Sequence, residues 1–513
     1  MNAAPHSSNS SVDLHSKLIR GAVINALGLI GKILGPLFLI LITWLYSAET
    51  VGVYLLVTTV AEVARSALTA GFGDGAIVYA SRDLEAATTD SEAHKRLYSV
   101  LGNAIAIPIV LSVVISVLGI TLGDNFARMF FQGKGQDVLP TISVAFPFMV
   151  FSIMATAATK ATMRMQYEVG LNYILSPLFL LAFAVVAWFI DPGLNGLVLS
   201  YLVTHVILAA AALWALAQVC SLRELGREII EFRINRSFLS FAIPQGLNLT
   251  LNQYATKLGL LALGTAGYSS FAIAFYGTAE RLVYMMREIK LLFGNSLTPI
   301  AARFYATGER GDLEMVIGRV ARWATTITLT LSLPLVVVRD DLIAVVDPRY
   351  QGDTRFMIIL IGAMYVYCAY GLAANAITAA GHSRWSLLNS FVMAVVGTVL
   401  CWVLVPRYGL AGAAWATTLA SAVSIGLANL ELHQLEGIAI RWSHVKLPHY
   451  GLMICVALLM PLWDPALIEP LSLRIALATA LALGYVVVIW MMGHPEVRGL
   501  VSGSVRRIAG RRG

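Results

Sequence analysis

The apolar residues of this chain gather in long blocks instead of recurring every third or fourth position. Fourteen stretches are predominantly hydrophobic, at approximately 19–46, 50–79, 98–121, 139–160, 169–190, 194–219, 239–264, 269–292, 315–338, 355–379, 385–405, 409–430, 446–463 and 473–492. A helix needs about 20 apolar residues to cross the hydrocarbon of a bilayer, and these blocks supply them. Runs such as Leu111 to Leu122 carry strand-forming residues. No barrel-type alternation recurs, however, and the blocks are too long for barrel strands. The pattern predicts an all-α polytopic membrane protein with about fourteen transmembrane helices.

Composition agrees. Hydrophobic residues make up 58% of the chain and charged residues 13%, against about 25% charged in a soluble domain, and the mean hydropathy is +0.75. Residues 1–16 are polar and lack a basic segment followed by a cleavage site, so the first span is expected to be retained and not removed as a signal peptide. Apart from four cations set deep within spans, 25 Lys and Arg fall in loops or near span ends on the side of the N-terminus and 7 on the other. That bias places both termini in the cytoplasm, and a bacterial inner membrane is the expected location. Topology thereby accounts for the net charge of +7, and no nucleic-acid partner is expected. Cys220, Cys368, Cys401 and Cys455 are scattered in or beside spans and read as small buried hydrophobes, not as a disulfide or metal set.

The chain also echoes itself. Phe72-Gly73-Asp74-Gly75-Ala76-Ile77-Val78-Tyr79-Ala80-Ser81-Arg82 closes span 2, and Phe293-Gly294-Asn295-Ser296-Leu297-Thr298-Pro299-Ile300-Ala301-Ala302-Arg303 closes span 8, 221 residues later. Gly193-Leu194-Asn195-Gly196 opens span 6 and Gly409-Leu410-Ala411-Gly412 opens span 12, 216 residues on. An offset of six spans keeps both halves in one membrane orientation, so a pseudo-twofold axis along the membrane normal is expected. The predicted layout is an N-lobe over 1–219, an amphipathic cytoplasmic linker over 220–238, a C-lobe over 239–432, and two extra spans with a basic tail over 433–513.

Four cations lie inside spans: Lys32, Arg65, Lys257 and Arg281. Each costs roughly 3 kcal/mol on insertion scales, so each is expected to be sheltered by protein or water. In span 7, Gln245, Asn248, Asn252 and Thr256 recur at spacings of three and four, with Gln253 and Lys257 beside the last two; this makes one polar face. Span 2 carries Thr58, Glu62, Arg65 and Thr69 on a stripe, span 1 carries Asn25 and Lys32 among glycines, and span 8 carries Tyr276, Glu280, Arg281 and Tyr284. Such faces are expected to turn toward a shared wet cavity. Plainer readings stand beside this one. Glu62 and Arg65 are spaced to neutralise each other, Lys32 and Lys257 to snorkel or join interhelical ion pairs, and Arg281 to snorkel. Gly21 and Gly28 suit close helix packing, and His205 suits a hydrogen-bonded core position.

Enzyme motifs are missing or misplaced. Gly71-Phe72-Gly73-Asp74-Gly75 follows no strand, so it is not a dinucleotide fingerprint. There is no P-loop to drive an ATP pump and no metal-site spacing, and neither a cofactor nor a metal is expected. The external loops near 122–138 and 339–354 are short for a membrane polymerase or ligase.

Asn25-Ala26-Leu27-Gly28-Leu29-Ile30-Gly31, Ser47-Ala48-Glu49-Thr50-Val51-Gly52-Val53-Tyr54, the stretch from Gly71 to Arg82, and Phe241-Ala242-Ile243-Pro244-Gln245-Gly246-Leu247-Asn248 resemble the polysaccharide and O-antigen flippases of the multidrug/oligosaccharidyl-lipid/polysaccharide exporter superfamily. The resemblance covers roughly residues 17–430. It implies an alternating-access carrier for an undecaprenyl-pyrophosphate-linked oligosaccharide, destined for O-antigen, capsule or exopolysaccharide, with a polysaccharide polymerase and glycosyltransferases as partners. Lys32, Arg65, Lys257 and Arg281 would then contact the pyrophosphate. Asn25, Gln245, Asn248, Asn252, Gln253, Tyr276 and Tyr284 would contact the glycan, and Glu62 and Glu280 would couple an ion. Fourteen spans also resemble the lipid II flippase, although its basic opening motif is absent. A cation-coupled multidrug antiporter of the same superfamily is the rival, and it would be expected to line its cavity with acids.

Overall fold

The computed structural model describes residues 31, 34–84, 87, 90–231, 234–307, 310–350, 352–438, 440, 442–459 and 471–491. Among them there is no strand. The helices are α1 (Leu34–Leu45), α2 (Ala48–Asp83), α3 (Ser91–Phe131), α4 (Leu139–Ala161), α5 (Met165–Glu168), α6 (Ser176–Ile190), α7 (Leu194–Ala217), α8 (Leu222–Glu231) and α9 (Arg236–Thr265). They continue with α10 (Ser270–Tyr284), α11 (Arg287–Thr307), α12 (Arg310–Val346), α13 (Arg355–Tyr370), α14 (Leu372–Ala379), α15 (Ser383–Glu436), α16 (Trp442–Leu459) and α17 (Leu471–Met491).

Each of the fourteen predicted spans is helical over most of its described residues. Eight of the described helical segments are both long and apolar enough to cross a membrane by themselves. The remainder are shorter, broken or charged. A π-helical turn, Val169–Leu175, joins α5 to α6. The predicted span 8 breaks between α10 and α11, and span 10 breaks at Gly371 between α13 and α14. Spans 11 and 12 instead run together as α15. Their junction is Gly409, whose φ of 57° lies in the left-handed region that glycine enters without a Cβ penalty. The buried Asn389 and Glu431 tie the two arms of α15 by a 2.6 Å hydrogen bond.

Helices α3 and α12 extend well past their apolar blocks, at 41 and 37 residues. Hydropathy marks the segment that hydrocarbon would cover and not the whole helix, since polar turns continue the same hydrogen bonds in water. Asp90 caps the start of α3 by accepting from the Glu92 amide at 2.9 Å.

The chain divides into two compact units, Met1–Phe275 and Tyr276–Gly513. In the first, α2 packs on α4, and Gly73 faces Met154 and Ala157. In the second, α11 packs on α14, and Gly294 faces Asn375. The echoed glycines thus occupy matching contacts, span 2 on span 4 and span 8 on span 10. Gly196 and Gly412 match as well, each lying against a backbone carbonyl of the preceding turn, of Asp191 and Leu404 respectively.

The amphipathic helix expected between the repeats is α8. It lies against α3: Leu225 is buried, His94 Nε2 is 2.8 Å from Glu224 Oε2, and the Ser221 amide donates to the Tyr98 hydroxyl at 2.9 Å. Ile230, by contrast, is 85% exposed. The last two helices, α16 and α17, dock on α12. Tyr485 and Ile489 are buried with Leu329, the Tyr485 hydroxyl donates to the Pro448 carbonyl at 3.2 Å, and Arg474 pairs with Asp341 at 3.2 Å.

Candidate functional site

The polar stripe of α9 meets the polar stripe of α2 along most of both helices. Gln245 donates its side-chain amide to Asp74 at 3.0 Å. One turn along α2, Gly71 abuts the Ala242 carbonyl and the Gly246 backbone so closely that no Cβ fits there. Further on, Lys257 Nζ stands 3.2 Å from Glu62 Oε2, and beyond it Leu56 packs on Gly264. Partners advance along α2 as they retreat along α9, so the two helices are antiparallel. The Asp74–Gln245 and Glu62–Lys257 contacts are separated by twelve residues on each helix, about 18 Å of helical rise.

The seam forms because both helices alternate small and polar residues at the same spacing. Glycine lets the backbones approach, and the approach lets two short-range polar contacts close. The Lys257 and Glu62 side chains are 16% and 29% exposed, so the pair is sheltered without being sealed. A partly desolvated ion pair of this kind is held by geometry, and losing one partner leaves an uncompensated charge. Glu62, which local spacing sets beside Arg65, reaches across the seam to Lys257. The acid of the glycine-rich stretch, Asp74, is the contact that sequence reading missed. The signal was there, a second carboxylate inside span 2, but nothing local named Gln245 as its partner.

Other predicted site residues of the first unit surround this seam. Asn248, Asn252 and Gln253 are half-buried on α9, and Arg65 is half-buried on α2. Arg65 lies within electrostatic reach of His205. His205 itself is a core residue, its Nδ1 2.8 Å from the Tyr201 carbonyl and its ring stacked near Tyr201. Asn25 and Lys32 lie outside the described residues. In the second unit, α10 carries the remainder. Tyr276 is fully buried with its ring stacked 5.5 Å from that of Phe356, Glu280 is 1% exposed, and Arg281 and Tyr284 are half-buried. No grouping of His, Cys, Asp and Glu suited to a metal ion occurs among the described residues.

A broken-helix, internally repeated bundle with polar seams inside its membrane helices has the architecture of the transporters of the multidrug/oligosaccharidyl-lipid/polysaccharide superfamily. Solved structures agree. Lipid II flippase MurJ in an inward closed conformation superposes with a TM-score of 0.67 at 12% identity, covering 94% of this chain and 100% of that one. An inward-facing multidrug resistance MATE family transporter gives 0.62 at 15% identity over 79% of this chain and 94% of that one. A superfamily transporter from Pyrococcus furiosus, described as having a binding pocket of reversed polarity, gives 0.56 at 15% identity over 81% and 94%. A search of curated proteins finds no match. The profile of the family described as polysaccharide biosynthesis protein matches residues 41–349, more than half of the sequence, and the chain belongs to that family.

Proposed function

We propose that this protein is an alternating-access flippase that carries a polyprenyl-pyrophosphate-linked oligosaccharide across the bacterial inner membrane for surface polysaccharide assembly, with both termini in the cytoplasm. The observation that carries this reading is Lys257, an intramembrane cation on a face of amides, held by Glu62 in a family of polysaccharide biosynthesis proteins. A pyrophosphate offers Lys257 a stronger partner than a single carboxylate does, because it presents more charge and more acceptor oxygens. When the α2–α9 seam parts, Lys257 exchanges Glu62 for the headgroup, and Arg65 adds a second cation from α2. Lys32 and Arg281 complete the set of cations assigned to the pyrophosphate. Glu62, released from Lys257, is the carboxylate assigned to ion coupling in the first unit. Glu280 is the equivalent carboxylate of the second unit. Gln245, Asn248, Asn252 and Gln253 present donors and acceptors to sugar hydroxyls, joined by Asn25, Tyr276 and Tyr284. The two lobes of this carrier are assigned to 1–219 and 239–432.

The test is transport by the purified protein in vesicles loaded with a fluorescent polyprenyl-pyrophosphate oligosaccharide. Flipping that needs the protein and fails in Lys257→Ala supports the reading. No flipping of any polyprenyl-pyrophosphate substrate refutes it. A second reading, lipid II as cargo, is favoured by the coverage of both chains in the match to the lipid II flippase. Supplying lipid II in the same vesicles decides between the two glycans. Extrusion of cationic dyes without lipid flipping would instead favour the antiporter.

A further inference from the structure

Away from the α2–α9 seam, a buried cation and a half-buried one share one aromatic ring. Lys290 on α11 is 8% exposed, its Nζ lies 4.7 Å from the centroid of the Tyr367 ring, and it donates to the Tyr367 hydroxyl at a long 3.4 Å. The Arg287 guanidinium carbon lies 5.7 Å from the same centroid, and its Nε is buried with no hydrogen-bond partner. Among the described residues neither cation forms an ion pair with a carboxylate. The charge count places both on the side of the N-terminus.

Two helix breaks build this pocket of charge. Arg287 opens α11 just past the interruption that ends α10, and Gly371 marks the break between α13 and α14. The Lys290 stem lies at Gly371, where a Cβ would come within 3.6 Å of its Cε. Cys368 Sγ donates to the Met286 carbonyl at 3.5 Å and holds the two breaks together. One turn further along, Asn375 presents a side-chain oxygen without a hydrogen-bond partner.

An aromatic face attracts cations but does not neutralise them. Two like charges on one ring repel each other and keep a desolvation cost that a dianion would offset. A planar guanidinium, an ammonium and a phenol, all converging, match the oxygens of a phosphate. We propose that Arg287, Lys290 and Tyr367 form an anion site for a phosphate or pyrophosphate group, on the side that the charge bias assigns to the cytoplasm. This deepens the flippase reading and rests on it for the source of the anion, the headgroup of the lipid-linked cargo on entry.

Full-length protein in nanodiscs, followed by hydrogen–deuterium exchange, tests the site with two probes, polyprenyl pyrophosphate in the bilayer and inorganic pyrophosphate in solution. Slowed exchange across 285–292 and 365–371 with the polyprenyl probe is the expected result. Arg287→Gln combined with Lys290→Gln should weaken that binding about tenfold, the loss of one strong charge-assisted contact or more, and Arg287→Lys alone should largely retain it. Protection by inorganic pyrophosphate alone would keep the site but assign it to a free anion and overturn the entry role. Polyprenyl pyrophosphate that protects 250–260 while leaving 285–292 unchanged would overturn the site and leave the flippase reading standing. Absence of protection anywhere by either probe would defeat both. Because these readouts use the native sequence, they stand even where the double variant fails to fold.

Discussion

Lys257 on α9 and Glu62 on α2 are 195 positions apart in sequence and 3.2 Å apart in space. Their contact joins the first span of one repeat to the second span of the other, midway along an antiparallel seam closed by Gly71 and latched by Asp74 with Gln245. If the pair is a charge that the cargo displaces, its sign matters as well as its presence. Lys257→Ala and Glu62→Gln should each reduce flipping by tenfold or so, the loss of one charge-assisted contact of roughly 1.5–3 kcal/mol. The exchange Glu62→Lys with Lys257→Glu should restore expression and thermal stability but not transport. A swapped variant that flips substrate at the native rate would reduce the pair to a structural clamp. Arg65→Ala and Arg281→Ala, read in the same assay, extend the test to the other cations.

Coupling is expected to run through carboxylates that change surroundings as the carrier alternates. Glu280 is 1% exposed and lies within electrostatic reach of Tyr276 and Tyr284. Glu280→Gln should therefore preserve binding of polyprenyl pyrophosphate while blunting the response of flipping to an imposed pH gradient. Vesicles assayed with and without the gradient measure this, and an unchanged gradient response in both Glu280→Gln and Glu62→Gln would remove the carboxylates from coupling.

Gly71 is where the α2 and α9 backbones come closest, and a Cβ there would sit 2.7 Å from the Gly246 Cα. Gly71→Val should prevent the seam from closing at this level, with overpacking of about 1–3 kcal/mol. The expected signature is a lower melting temperature together with slower turnover, and Gly71→Ala should show both in milder form. Native stability and native turnover in Gly71→Val would mean that the seam does not close here during transport.

Outside the membrane helices, Asp347 follows α12 and is almost fully buried. Burial pushes its carboxyl pKa up, but the Arg349 side chain and backbone amide, at 2.8–3.1 Å, outweigh that and hold it below the ordinary 3.8. The folded value is thus lower than the unfolded one. Asp347 stabilises the fold fully above the unfolded value, and the contribution disappears as pH falls through the folded one. Thermal unfolding from pH 6 down to about pH 3 should show a loss of stability that Asp347→Asn removes. Identical acid profiles for the two proteins would exclude this pair as the cause.

Hydrophobic block length determined much of this protein by itself. The helical nature of the chain and the places of its apolar segments follow from how far such a segment must run to satisfy its backbone in lipid. Composition likewise marked which helix faces carry polar side chains, since a stripe at three- and four-residue spacing is a property of one helix. Pairing between those faces was decided only in three dimensions. Glu62 meets Lys257, 195 residues away, because glycines at Gly71 and Gly246 let two backbones approach and the register of the seam carried Lys257 to it. Arg287 and Lys290 counted with the cytoplasmic cations at the end of span 8 because hydropathy reports where charge ends an apolar block. Whether the next turn of helix then folds into water or against Tyr367 depends on breaks in two distant helices.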